Sequence, residues 1–266
     1  MAWNGALISI NGEISPPGEA MLPLPDDGLF RGDGVFEVMR VYAGRPFAFP
    51  EHLDRMERSG AVIELAVDRP AIEADADLLL RRFGSGDCLL RLISTRQGNR
   101  IASIEPLPEH TPAITLATVT CSPTVILNGV KSLSYAMNMQ ATRMARAAGA
   151  AEALLVRPDG ILLEAPTSTI FWVKCDGALR TTALEAGVLD SITRRKLIER
   201  LEVEEGEFPL EDLLGAREAF LASTTREVQP VESVDGHRFD LEDTPMARAA
   251  RAAFAAALAD AGIPRP

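Results

Sequence analysis

Lysine is nearly absent from this chain. Among 27 basic residues in a length of 266, only Lys131, Lys174 and Lys196 are lysines, and arginine supplies the rest. Chemistry that needs a primary side-chain amine therefore has three candidates. Cysteine is scarce as well: Cys88, Cys121 and Cys175 are odd in number, widely spaced and form no CxxC pair. That excludes a disulfide framework and a cysteine-based zinc site. The three histidines, His52, His110 and His237, lie far apart with no metal-ligand spacing, so no metal is expected. No apolar run approaches the roughly 20 residues of a membrane span. The opening "MAWNGALISINGEI" lacks a basic segment followed by an apolar one, so no secretory signal is expected. Net charge is −11 and the pI lies near 4.9, which argues against nucleic acid as a partner. A local arginine cluster could still take a small anion. The expectation is a soluble, cytoplasmic protein with a small-molecule ligand.

What is present divides into an α+β half and a β-rich half. "ALISI", Asn11-Gly12 and "EI" read as a hairpin, followed by Pro/Gly-rich sequence to "LPDDGLFRGDG". "VFEVMRVYAG" has the composition of a strand ending in a glycine turn. "PEHLDRMERSGAVI" sets Leu53, Met56 and Ile63 at helical spacing behind Pro50, and "RPAIEADADLLLRRF" predicts a second helix. "CLLRLISTRQG" and "AITLATVTC" read as strands. Beyond a turn-rich linker, "ATRMARAAGAAEA" predicts a helix, and hairpins are expected at Asp159-Gly160 and Asp176-Gly177. "SITRRKLIERL" reads as a helix and "EAFLASTTREVQPVESVDG" as mostly strand. The C-terminal "TPMARAARAAFAAALADAG" is amphipathic, with Phe254 and Leu258 on one face. The expected organisation is a two-domain α+β (α/β) protein. A small N-terminal domain covers 1–118, a linker 119–129 and a larger β-rich domain 130–266.

Two of the lysines have ordinary settings. Lys174 precedes the Cys175-Asp176-Gly177 turn and reads as solvated; Lys196 sits among Arg194, Arg195 and Arg200 on a helix surface. Lys131, between "VILNGV" and "SLSY", lies where a strand would carry it inward. Burial lowers a lysine's pKa and makes the amine nucleophilic. Nearby in sequence stand Tyr135, with a hydroxyl for a phenolic oxygen, and Glu164, a carboxylate in apolar sequence that needs a partner. Thr193 and Thr224 sit at loop junctions of the kind that hold phosphate, and Arg55 could meet its charge. An amine, a phenol, a carboxylate, an arginine and two hydroxyl loops are together the parts that hold pyridoxal phosphate.

The order of motifs resembles the class IV (fold type IV) pyridoxal-phosphate enzymes: branched-chain aminotransferases, D-amino-acid aminotransferases and aminodeoxychorismate lyase. The matching segments are "RGDGVFEVMRVYAGRPF", "EHLDRMERS", "VKSLSY", "GAAEALLVRPDGILLEAPTSTIFWV", "LDSITRR" and "ASTTREVQPVESVDG", in family order along nearly the whole chain. The resemblance implies that Lys131 carries pyridoxal 5'-phosphate covalently. It implies that Arg55 meets the phosphate with Ile192, Thr193 and Thr224, that Glu164 pairs with the pyridinium nitrogen, and that Tyr135 sits near the phenolic oxygen. Ser191 stands where the family usually has glycine, and Thr169 where it usually has asparagine. A homodimer is implied too, with the cofactor between the two domains and "DGLFRG" acting across the interface. Arg31, Arg40, Arg91, Arg96 and Thr225 are candidates for the substrate carboxylate. "GDGVFEVMRVYAG" favours an aminotransferase, with branched-chain substrates first. "STTREVQPV" and "VKSLS" lean toward the D-amino-acid enzyme, and "ISTRQG" toward the lyase, although Glu37-Val38 replaces the hydroxyl residues common there.

Overall fold

Alternation along "GVFEVMRVY" builds the strand on which the first half of the molecule is organised. The computed structural model describes residues 6–263, so the reading of Met1–Gly5 lies outside the described residues. The chain divides into two compact units: Met1–Pro108, Val130–Tyr135 and Leu258–Pro266 form one, and Glu109–Gly129 with Ala136–Ala257 the other.

The first unit contains β1 (Leu7–Ile10), β2 (Glu13–Ser15), α1 (Asp27–Arg31), β3 (Gly34–Tyr42), β4 (Arg45–Pro46), α2 (Phe49–Val62), α3 (Arg69–Phe83), β5 (Cys88–Thr95) and β6 (Arg100–Glu105). Its sheet runs β2-β1-β6-β5-β3-β4, and every pairing is antiparallel. Val35, Met39 and Val41 point from β3 into a core closed by Leu53 and Met56 of α2 and by Ile72, Ala76 and Leu79 of α3. The spacing of those helical residues sets one apolar stripe on each helix. α3 starts where expected, because the Asp68 side chain accepts from Ala71 N at 3.2 Å and Pro70 fits the first turn. β6 lies in sequence for which no strand is expected. "TRQGN" turns the chain, with Gly98 N donating to Thr95 O at 2.9 Å, and returns it beside β5. α1 also lies in sequence that reads as loop. Buried Asp26 caps it, accepting from Leu29 N, from Thr95 Oγ1 at 2.7 Å and from Asn99 Nδ2 at 2.6 Å.

The second unit contains β7 (Ile114–Thr120), α4 (Ala136–Ala147), β8 (Glu152–Val156), β9 (Thr169–Val173), β10 (Leu179–Thr182), α5 (Ile192–Ile198), β11 (Glu204–Gly206), α6 (Leu210–Leu214), β12 (Glu218–Ser223), β13 (Glu227–Val234), β14 (His237–Arg238) and α7 (Pro245–Asp260). The sheet order is β11-β10-β9-β12-β13-β7-β8, with β14 on β13. Parallel neighbours β7 and β8 are linked through α4, and β10 and β11 through α5, as parallel pairing requires of its crossovers. The helix expected over "ATRMARAAGAAEA" begins earlier, at Ala136, and stops at Ala147. Gly149 takes φ 87 just beyond it, and Glu152 and Ala153 enter β8 instead.

Three further departures bear on function. Lys174 is half-buried rather than solvated: its Nζ meets Asp212 at 2.7 Å, and the same carboxylate accepts from Trp172 Nε1 at 2.8 Å. Lys196 is half-buried as well, its side chain 19% exposed and its Nζ 3.8 Å from Glu199. The boundary expected at 118 falls inside β7, and Val130–Tyr135, expected to open the second domain, belongs to the first unit.

Candidate active site

The sequence-predicted residues fall into one group in each unit. In the first, the Lys131 segment adds to the edge of β3: Phe36 N donates to Lys131 O at 3.0 Å, Leu133 N donates to Gly34 O at 2.9 Å, and Val35 bridges Ser132. The glycines of "RGDGVFEV" make that approach possible. A Cβ at Gly34 would sit 2.6 Å from Leu133 Cδ1, and one at Gly32 2.8 Å from Ser134 Oγ. Lys131 N also donates to Ser59 Oγ on α2 at 3.1 Å. Lys131 is half-buried rather than enclosed, and its Nζ lies 4.3 Å from the Phe36 ring centroid and 5.7 Å from that of Tyr135. Those two rings meet edge to face at 5.3 Å. The amine is held against aromatic surface while the backbone on either side is pinned.

On α2, His52, Arg55 and Ser59 recur at intervals of three and four and so share a face. That face meets Glu37 of β3. Arg55 Nε donates to Glu37 Oε1 at 2.7 Å, Arg55 Nη2 donates to Oε2 at 2.6 Å, and His52 Nδ1 lies 2.7 Å from Oε2. All three side chains are buried. Burial by itself would push the Glu37 carboxyl up, but the charge and fork of Arg55, with help from His52, outweigh it and hold the group down at about 2. Burial pushes His52 below its ordinary value against the pull of Glu37, and the charges of Arg55 and Lys131 add to that push. The fork fixes the plane of the Arg55 guanidinium. Sequence reasoning meets Glu37 only as a departure from the lyase and His52 only in excluding metal spacing, and gives neither a role in the site. The usable signal is a glutamate on the apolar side of an alternating strand, opposite a helix with basic residues at helical spacing.

In the second unit, Glu164 lies in the return from β8. Its Oε1 accepts from Leu189 N at 2.9 Å, and its carbonyl accepts from Leu155 N at 2.9 Å. It is half-buried, on a non-strand segment, rather than a lone buried carboxylate. Ile192 and Thr193 open α5 and are buried. Ser191, in place of glycine, is the cap of that helix, its side chain accepting from Arg194 N at 3.4 Å. Thr169 is buried in β9, and its hydroxyl has no partner among the described residues. Thr224 and Thr225 occupy the half-buried turn between β12 and β13.

The four candidate arginines all lie in the first unit. Arg40 and Arg91 share the Phe36 face of the sheet, the face that also carries the Lys131 amine. Each of the four meets a carboxylate: Arg31 meets Asp27, Arg40 reaches Asp87 at 3.5 Å, Arg91 Nε bonds Glu105 at 2.6 Å, and Arg96 makes a fork to Asp33 with both bonds at 2.9 Å. Arg96 additionally donates to Ile63 O and Glu64 O, tying the start of β3 to the end of α2.

The family model for amino-transferase class IV matches residues 34–234. The chain is 32% identical over 257 residues to a putative branched-chain-amino-acid aminotransferase of Methanocaldococcus jannaschii, covering 86% of this chain and 88% of the relative. It is 30% identical over 254 residues to a D-alanine aminotransferase of Bacillus licheniformis, with the same two coverages. Among solved structures, a hypothetical aminotransferase from Mycobacterium tuberculosis in its PLP-bound form superposes with a TM-score of 0.86 at 25% identity. That match covers 96% of this chain and 99% of the other.

Proposed function

The chain belongs to the class IV aminotransferases, and on that premise we propose that it moves an amino group between a branched-chain L-amino acid and a 2-oxo acid with pyridoxal phosphate. The observation that carries this reading is the Lys131 amine, set 4.3 Å from the Phe36 ring on a segment whose backbone is pinned on both sides. Within each unit taken by itself, the donors are of the kinds that pyridoxal phosphate needs. Lys131 would hold it covalently, with the Tyr135 hydroxyl toward its phenolic oxygen. Glu164, oriented by Leu189 N, offers a carboxylate to a ring N–H. Arg55, Ile192, Thr193 and Thr224 offer a guanidinium, a backbone N–H and two hydroxyls to its phosphate. When bound, pyridoxal phosphate supplies an electron sink for charge developing at the substrate's α-carbon. With the cofactor bound, the Lys131 amine would be the group placed to take the substrate's α-proton.

An apolar substrate suits the aromatic surface beside the amine, where the Phe36 ring centroid lies 4.3 Å and that of Tyr135 5.7 Å from Lys131 Nζ. Incubating the holoenzyme with L-leucine, D-alanine and aminodeoxychorismate in turn tests this. L-leucine should convert the absorption spectrum to that of the pyridoxamine form. Conversion by D-alanine alone would make it the D-amino-acid enzyme, and pyruvate released without an amine acceptor would make it the lyase.

A homodimer in the cytoplasm completes the proposal. α1 has no buried residue, and its Leu29 and Phe30 are 62% and 60% exposed, a surface suited to a second copy of the chain. Among the described residues no helix is long and apolar enough to cross a membrane. Light scattering should give twice the 28.7 kDa chain mass, and a value of one chain would contradict the dimer. Recovery of the protein with membranes on fractionation would contradict the location.

A further inference from the structure

Arg226 follows Thr224 and Thr225 in the β12–β13 turn, and its guanidinium reaches three other elements of the second unit. Nε donates to Ser168 Oγ at 3.2 Å, Nη1 to Gln229 Oε1 at 2.5 Å, and Nη2 to Glu152 Oε2 at 3.2 Å. The side chain is 11% exposed and that of Glu152 6%. Each partner is itself anchored. Glu152 accepts from Thr142 Oγ1 of α4 at 2.5 Å, and Gln229 Nε2 donates to Thr111 O at 2.7 Å. Ser168 closes the tight return that begins one residue after Glu164, with Ala165 N donating to Ser168 O at 2.9 Å and Ser168 N to Ala165 O at 3.3 Å. Asn138 Nδ2 holds the same return through Pro166 O at 3.0 Å.

One rigid plane therefore joins the turn that carries Thr224 to the return that carries Glu164. A buried ion pair such as Arg226–Glu152 is weak evidence for stability, because desolvation offsets much of the attraction. What the guanidinium adds, and a lysine ammonium lacks, is fixed direction for several N–H groups at once. We propose that Arg226 is a positioning residue that sets the distance between the Thr224 turn and Glu164, and so between the phosphate and ring-nitrogen contacts of the cofactor. This rests on the pyridoxal-phosphate reading above. Arg226 touches neither the reacting atoms nor the cofactor in this scheme; it acts through its two turns.

Three variants separate positioning from bulk stability: Arg226→Lys keeps a cation for Glu152, Ser168→Ala removes only the link to the Glu164 return, and Arg226→Ala removes everything. Two measurements apply to each, pyridoxal-phosphate affinity by equilibrium dialysis and amide hydrogen exchange of the cofactor-free chain. Arg226→Lys and Ser168→Ala should weaken affinity by about 10- to 100-fold, the cost typical of removing outer partners of a ligating group. Exchange should quicken at Thr167, Ser168, Thr225 and Arg226 together while the β12 amides Ala219–Ala222 stay protected. Wild-type affinity in Arg226→Lys, or quickened exchange spread evenly over the second unit, overturns the assignment. A wild-type chain that takes up no pyridoxal phosphate overturns the cofactor reading instead, and the exchange pattern then decides whether Arg226 couples the two turns.

Discussion

Lys131→Ala should lower turnover by at least about 10⁴-fold while the protein stays folded. Positioned proton transfer alone supplies about 10²- to 10⁴-fold, and loss of the covalent tether adds to it. The fold should survive because the segment is held by main chain. Lys131 N bonds Ser59 Oγ, Lys131 O accepts from Phe36 N, and Leu133 N bonds Gly34 O, none of which needs the amine. Lys131→Arg should fail equally, since a guanidinium stays protonated and cannot act as nucleophile or base. Steady-state assay beside a thermal melt checks both parts. Transaminase activity within tenfold of wild type in either variant would remove Lys131 from the chemistry.

Glu37→Gln should cost roughly 3–5 kcal/mol of stability, the range for removing one partner of a buried ion pair. The variant leaves the Arg55 guanidinium buried with a neutral amide where a bidentate carboxylate had been. Replacing both partners by leucine should recover much of the loss, because no buried charge is then unpaired. The pH dependence has the same origin. The Glu37 carboxyl, ordinarily at 4.5, is held at about 2 in the folded chain, so the unfolded chain takes up its proton first. The stabilisation is complete above about pH 4.5 and is lost as pH falls toward 2; it amounts to roughly 3 kcal/mol. His52 acts in the same direction, because its folded value lies below its ordinary 6.5 and acid again favours the unfolded chain. Urea denaturation between pH 7 and 3 should show stability falling steadily in wild type and more shallowly in Glu37→Gln. Equal slopes would show that this carboxyl contributes nothing to the acid limb.

The elements most legible in the sequence are those whose causes are local. α3 carries its own cap at Asp68, a proline in its first turn and an apolar stripe. α2 opens on Phe49-Pro50, and the β9–β10 hairpin turns at Asp176-Gly177. The illegible ones depend on distant partners. α1 sits in Pro/Gly-rich sequence, and its cap Asp26 is completed by Thr95 at the end of β5 and Asn99 in the turn that follows it. "VKSLSY" reads as the start of a second domain, yet its backbone pairs with β3 nearly a hundred residues earlier. The family motifs name Lys131, Arg55, Glu164, Thr193 and Thr224 directly. They are silent on Glu37, His52 and Arg226, whose importance lies in what they hold: a guanidinium across a helix–strand contact and two turns joined by one side chain.

The central claim is that one amine, that of Lys131, bears the cofactor. Borohydride reduction of the purified holoenzyme followed by peptide mapping tests it most directly. The account predicts a single phosphopyridoxyl adduct on the peptide containing "NGVKSLSY", with none on those containing Lys174 or Lys196. An adduct on either of those lysines, or the absence of any adduct from a chain shown to bind pyridoxal phosphate, would contradict it.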